Sequence, residues 1–281
     1  MTFDSVLSSV VYLISCFILF YLGKWVYGLF HKSIHVADEL VEKDNFAFAV
    51  SHTGYFVGLL LAIGSAIVGP SAGIVEDLVD IFVYGSMAII LLNLSIVIND
   101  KLILSKFLVN KEIIEDQNVG TGVVEAANSI AIGAILFGAI SGEGGSVTTA
   151  LGFWVLGQIA LIIASKVYTL LTPYDVHDHI EKDNVAVGIS FAGSLAAVGV
   201  IVGHAVSGDF YSWQDSAETL GYELLLGLAL LPLIRLATDK ILLPGQNLTD
   251  ELINQEKANN GAALIEAFAY IGGAVLITWC I

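Results

Sequence analysis

Long apolar runs separated by short polar stretches set the pattern of this chain. Eight can be counted: Val6 to Leu22, Phe46 to Val68, Val79 to Ile98, Val119 to Ile140, Ala150 to Ala164, Val185 to Val206, Leu220 to Ile234 and Gly261 to Ile281. Most have the length, about 17 to 25 residues, that carries an α-helix across roughly 30 Å of hydrocarbon. The fifth and seventh stop short before Lys166 and Arg235. A long basic side chain near a helix end can reach back to the interface, so both are read as spanning. The first run has no basic leader, is too long for the apolar part of a secretory signal, and meets Lys24 only after its apolar stretch. It is expected to be retained. The pattern predicts an all-α integral membrane protein of eight transmembrane helices.

Composition agrees with that class. Of 281 residues, 56% are hydrophobic and 14% charged, and the mean hydropathy is +0.82. A soluble domain of this size could not bury so much apolar side chain.

The basic residues give an orientation. All 11, Lys24, Lys32, Lys43, Lys101, Lys106, Lys111, Lys166, Lys182, Arg235, Lys240 and Lys257, lie in or beside the connections after helices 1, 3, 5 and 7. The connections around Gly69 to Asp77, Ser141 to Thr149 and Gly203 to Ser216 contain none. Basic connections stay cytoplasmic, so both termini are expected outside. The other side carries acids, among them Asp4, Glu76, Asp77, Asp80, Glu143, Asp209 and Asp215, within a net charge of −16. Acidic outer loops follow from keeping Lys and Arg inside, and they could also concentrate cations. Cys16 and Cys280 are expected at different depths, with no disulfide framework.

The sequence repeats. A slide of 139 places Asp44-Asn45-Phe46-Ala47 on Asp183-Asn184-Val185-Ala186, and Asp100-Lys101 on Asp239-Lys240. A slide of 141 places Asn118, Gly120, Glu125 and Ala126 on Asn259, Gly261, Glu266 and Ala267. The chain therefore divides into residues 1–141 and 142–281. With four helices each, the copies enter the membrane in the same orientation, as two parallel four-helix repeats expected to be related by a pseudo-twofold axis along the membrane normal. A weaker repeat recurs inside each unit as EKDNFAFA, EDQNVGTG, EKDNVAVG and EKANNGAA. The segments before it mix apolar and charged residues at helical spacing and predict short interfacial helices.

At these residues the chain resembles the domain-of-unknown-function family 350, bacterial inner membrane proteins whose unit is four helices with an Asn-x-Ala start. The resemblance covers two units, from about Ser5 to Ile281. It rests on the motif, its spacing and the glycine-rich even-numbered helices together. It implies a fold and an inner-membrane location, with no established activity. Placement of members near polyamine-type or membrane-stress genes is an association only. Fusion of two copies, where the family pattern has one, would take the place of a homodimer.

Few residues could carry chemistry. Asn45, Asn118, Asn184 and Asn259 stand at the starts of helices 2, 4, 6 and 8, where an Asn side chain caps exposed backbone N–H groups. Seven residues on, about 10 Å into the membrane and on the same helical face, come His52, Glu125, Phe191 and Glu266. An ionisable group there costs on the order of 2.5 to 3.5 kcal/mol to insert, so each glutamate should face the bundle interior and find a partner. Their pseudosymmetric positions suggest one polar pocket at the repeat axis containing both, a possible proton or cation site with His52, Glu223 and Asn128 as further members. For each glutamate a hydrogen bond across the bundle is the competing role. For Asn93, Asn128 and Gln158 interhelical hydrogen bonding is the default. Gly54, Gly58, Gly133, Gly138, Gly193, Gly199, Gly272 and Gly273 permit close helix packing, with a channel-lining face as the alternative. His31 with His35, and His177 with His179, are expected at the wet cytoplasmic edge. The i, i+4 spacing of the first pair would also suit a metal or haem, a reading nothing else supports.

No nucleotide loop, nucleophile elbow or zinc signature is present, so no cofactor or metal is expected and an enzyme is the least favoured class. The favoured reading is a transporter or channel for protons or small cations. The alternative is a noncatalytic scaffold recruiting cytoplasmic partners, for instance in membrane stress. Expected partners are the lipid bilayer, a cytoplasmic protein or a second copy of the chain, and no nucleic acid. The orientation has a direct test. A periplasmic reporter fused after Ile281 should be active, and one inserted near Asn110, beside Lys106 and Lys111, should be silent. The reverse pattern overturns the orientation, and identical behaviour at both sites removes the helix count.

Overall fold

A computed structural model of the protein describes residues 3–68, 71–142 and 144–281, with side chains from residue 6 onward. Glu143 and the side chain of Asp4, two of the outer acids, lie outside the described residues. Eight described helices are long and apolar enough to cross a membrane. They are α1 (Phe3–Phe30), α2 (Phe46–Gly64), α3 (Ile74–Leu102), α4 (Val119–Ser141), α5 (Val147–Leu171), α6 (Val185–Ala205), α7 (Trp213–Ala237) and α8 (Asn260–Cys280). The odd-numbered helices run well past their apolar cores at the basic end, carrying Lys24, Lys101, Lys166 and Arg235 inside helical turns.

The start of each even helix is built the same way. A short helical segment comes first, Asp38–Glu42, Val109–Ile114, Val176–Glu181 or Asp250–Asn254. In the first three cases the residue before the asparagine, Asp44, Gln117 or Asp183, then takes a left-handed conformation with φ of 49°, 51° or 55°. That conformation costs about 1–2 kcal/mol for an L-residue. It turns the asparagine N–H back onto the preceding segment, at Glu39 O, Glu112 O and His179 O. The asparagine side chain then caps its helix: Oδ1 of Asn45, Asn118, Asn184 and Asn259 accepts from the N–H of Phe48, Thr121, Val187 and Ala262 at 2.9–3.1 Å.

The amide of the same side chain does a second job. Asn45 Nδ2 donates to Ile113 O at 2.8 Å, Asn118 Nδ2 to Ile180 O at 2.7 Å, and Asn184 Nδ2 to Leu252 O at 2.9 Å. Each acceptor lies in the short segment leading into the next even helix. Asn259 closes the series and donates to Glu251 Oε2 at 2.8 Å, inside its own step.

The helices follow this ladder. The even ones stand in a row, α2 against α4, α4 against α6 and α6 against α8, and the odd ones form a second layer across them. Contacts along the row are made by small residues. A Cβ on Gly54 would overlap Ala126, one on Gly122 would overlap Ala47, one on Gly188 would overlap Gly120, and one on Gly193 would overlap Ala267. These glycine faces are therefore closed by helix packing and line no channel. The arrangement also corrects the expected pseudo-twofold axis. A twofold between the copies exchanges α2 with α6 and α4 with α8, so the contact of α4 with α6 would require one of α8 with α2, yet these two stand at opposite ends of the row, with Leu60 and Phe268 exposed. The repeated element is a two-helix step taken four times, head to tail.

The two uses of the asparagine can be separated by mutation. Asn118→Ala removes a cap, leaves Glu112 Oε2 without its donor and takes from Ile180 O one of its donors, the Asp183 N–H remaining, whereas Asn259→Ala removes a cap and a bond within one step. In denaturant unfolding from detergent micelles, Asn118→Ala should be the more destabilising by about 1–3 kcal/mol. Equal losses would show that the ladder adds nothing.

Candidate functional site

At the basic end of the first unit the row of small residues sets α4 tightly against α2 and presents Glu125 to the second layer. Asn99 on α3 donates to Asn128 Oδ1 on α4 at 2.8 Å. This bond fixes the last turns of α3 against α4 and brings the next residue, Asp100, up to Glu125. The two carboxyl groups lie against each other. Among the described residues none donates to Asp100 Oδ1 or Glu125 Oε2. Glu125 is 5% exposed. A cavity of about 20 Å³ adjoins the pair, walled by Tyr27, His31, Tyr55, Ile96 and Ser129. That is room for one water-sized occupant.

Aromatic rings close the cavity from the α1 and α2 side. His31 stacks on Tyr27 with ring centroids 4.1 Å apart, and its Nδ1 is 3.1 Å from Tyr27 O. It is buried rather than at a wet edge, and burial pushes its imidazole below the usual range. Tyr55 donates to Gly23 O at 2.9 Å and accepts from Asn93 at 3.2 Å, which pins its ring. His52 lies among Tyr27, Phe48, Tyr55 and Phe56, with centroids 4.4–5.9 Å away, and its ring nitrogens have no partner among the described residues.

The second unit carries the duplicate in a different state. Glu266 is fully buried and its Oε1 accepts from Arg235 Nη1 at 3.0 Å and from the Tyr270 hydroxyl at 3.2 Å. Arg235 Nη2 donates to Thr249 at 2.9 Å, and its guanidinium lies 5.8 Å from the centre of the Tyr174 ring. Sequence reasoning sent Arg235 outward to the interface. It turns inward instead, its side chain only 14% exposed, because a buried glutamate offers a partner that lipid does not.

The two glutamates do not share a pocket, since α6 stands between α4 and α8. Glu223 is separate again, its Oε2 3.0 Å from His204 Nδ1 towards the acidic end. Of the residues singled out in the sequence, Glu125 and Asn128 come together, His52 lies behind their aromatic wall, and the four asparagines build the ladder. Asp100, Tyr27 and Arg235 were missed as members of a site. Asp100 stood in the repeat as half of an Asp-Lys pair, and its conserved offset from Asp239 was the available signal. Outside the membrane, polar contacts tie the steps together. Lys106 beside Asp175, 2.5 Å away, holds its carboxyl below the usual range. Burial works against the Glu39 carboxylate, but hydrogen bonds from Lys43 and Asn45 outweigh it and hold the group low.

At the acidic end, between the first unit and the start of α5, a larger cavity, about 270 Å³, is lined by Tyr12, Asp77, Asp80, Tyr84, Ser146 and Thr149. Packed Leu19, Leu59, Ala88 and Leu92, all fully buried, lie in the apolar layer of α1, α2 and α3.

Comparison with known proteins places this architecture. The chain is 23% identical over 192 residues to a UPF0719 transmembrane protein of Aquifex aeolicus (strain VF5), a stretch that covers 67% of this chain and 69% of the relative. No solved structure matches it. The model of a Domain of Unknown Function, DUF350, matches residues 1–140 and again residues 144–281. A multi-pass membrane protein that carries the same helix-start motif through both matched stretches, the chain belongs to the DUF350 family as two tandem copies of its domain.

Proposed function

We propose that this protein is a transporter of protons or small cations in the inner membrane of a bacterium, with Asp100 and Glu125 of the first unit as the exchanging groups. The observation that carries the reading is the contrast between duplicates. Glu266 has a resident guanidinium, whereas Glu125 has a second carboxyl group beside it and, among the described residues, no cationic side chain on it. Two carboxylates at one buried place repel, and they coexist when a proton or a cation lies between them. Such a pair is chemically able to take up and release positive charge. Arg235 does the same neutralisation permanently, which makes the second unit the supporting half.

The position of the pair suits exchange with one side at a time. On the distribution of basic residues this end of the bundle is assigned to the cytoplasm. His31, Ile34 and Asn110 border the cavity there. The apolar layer around Leu19, Leu59 and Leu92 separates it from the acidic cavity near Asp80. The glycine-packed row of even helices is the rigid part, so access to the other side is assigned to movement of α1 and α3 across it.

Reconstitution tests this. In proteoliposomes under an imposed pH or cation gradient, the parent protein should give flux reported by an internal pH-sensitive dye. Glu125→Gln and Asp100→Asn should each reduce it at least tenfold while the protein still inserts and folds. Glu266→Gln should act differently, lowering stability by about 3–5 kcal/mol through the unpaired arginine, with flux per folded molecule maintained. Parent-level flux in Glu125→Gln, or none from the parent with any gradient, overturns the assignment.

A further inference from the structure

We propose that the cation bound at Asp100 and Glu125 is of the ammonium type, a small N–H-donating monovalent ion that plays the part of the Arg235 guanidinium in the duplicate. The inference rests on the reading of that pair as the exchanging site and names its ligand.

The two offsets of the sequence repeat align the sites residue by residue. Glu125 corresponds to Glu266 and Ser129 to Tyr270 at 141, and Asp100 to Asp239 and Ile96 to Arg235 at 139. Each unit also has a tyrosine of its first helix here, Tyr27 in the cavity wall beside Glu125 and Tyr168 against Tyr270. The carboxyls and one tyrosine are thus common to both. Among the wall positions, Ile96 stands for Arg235 and Ser129 for Tyr270, each smaller than its counterpart, while Tyr55 stands for Ser194 and is larger. All three line the 20 Å³ cavity of the first unit. The first unit thus has a small cavity and no guanidinium where the second unit contains Arg235.

The acceptors there remain in place. Glu125 Oε2, Asp100 Oδ1 and Ser129 Oγ are buried with no hydrogen-bond partner among the described residues, and Glu125 is 95% removed from solvent by its 5% exposure. In the duplicate the equivalent glutamate accepts an N–H from a cation at 3.0 Å. An ammonium ion has the size of the cavity and N–H bonds for all three oxygens. Tyr27, one wall of the cavity, adds an aromatic ring of the kind cations favour. A bare alkali ion would lack the fuller oxygen shell it needs, since apolar Ile96 and Ile113 occupy other parts of the wall. The charge count also agrees: with one bound monovalent cation the first site has two carboxylates and one positive charge, as Glu266, Asp239 and Arg235 do.

Thermal unfolding of the purified full-length protein in detergent gives the test, with ammonium chloride compared against sodium chloride at equal ionic strength. The parent should be stabilised saturably by ammonium and not by sodium. Glu125→Gln should weaken the apparent ammonium affinity at least tenfold. Ile96→Arg should install the guanidinium of the second unit, raise the midpoint in sodium chloride and abolish the response to ammonium. Equal responses of the parent to the two salts, or an ammonium response undiminished in Glu125→Gln, overturns the proposal. So does a folded Ile96→Arg protein that responds as the parent does; if that variant fails to fold, the Glu125→Gln comparison decides. The same preparations separate this proposal from the transport reading. Saturable ammonium binding with no flux in proteoliposomes removes transport and leaves the site. Proton-driven flux with no ammonium effect leaves transport and removes the ligand.

Discussion

The fold depends on backbone-to-backbone approach between α2, α4, α6 and α8. In hydrocarbon two helices gain nothing by hiding apolar surface from lipid tails that are equally apolar, so association rests on van der Waals contact and on hydrogen bonds. Small residues at Gly54, Gly58, Gly122, Gly133, Gly188, Gly193 and Gly199 let the even helices meet closely enough for both. The ladder of asparagine amides then sets the register of each step on the next at the basic end. The odd helices need no such closeness. They join the row through larger side chains and show much of their apolar surface to lipid, as Phe17, Tyr21, Val83 and Leu225 do.

A row made this way is nearly the same at each step, and the chemistry lies where the steps differ. Four asparagines cap four helices, but seven residues further on the chain places His52, Glu125, Phe191 and Glu266 in four different surroundings. His52 is boxed by rings, Phe191 packs on Tyr168, and the two glutamates find a carboxyl partner in one case and a guanidinium in the other. Duplication supplied two equal sites, and a few substitutions in their walls made one self-neutralised and the other not.

Much of this was legible in the sequence because hydrophobic length, repeat spacing and capping are local properties. The eight spans, the tandem copies, the short segments before the even helices and the capping asparagines all follow from residues close together in the chain. The partners of the glutamates do not. Arg235 and Lys166 look alike in sequence, each ending an apolar run, yet Lys166 is exposed and Arg235 turns inward. The choice depends on which face of α7 meets α8, a property of packing that periodicity in an almost uniformly apolar helix does not encode. The expected meeting of Glu125 with Glu266 failed for a related reason: symmetry of sequence fixes that two sites are equivalent and leaves open whether the operator between them is a rotation or a step. His31 was misplaced because a histidine after an apolar run reads as interfacial until Tyr27 is seen stacked upon it.

The head-to-tail ladder also has a direction in time. A chain inserted from its N-terminus delivers Asn45 before Ile113, Asn118 before Ile180 and Asn184 before Leu252, so every donor amide enters the bilayer surface ahead of the carbonyl it will meet. Until then it has a placeholder: Asn45 and Asn118 also bond the glutamate of their own segment, Glu39 and Glu112, at 2.9 Å. Each newly made pair of helices thus arrives at a neighbour that is already capped, already turned and presenting a donor at the right height. Biogenesis by successive docking needs no rearrangement of what came before, and a nascent chain interrupted after α2 or α4 would end in the same self-satisfied state that Asn259 has in the finished protein.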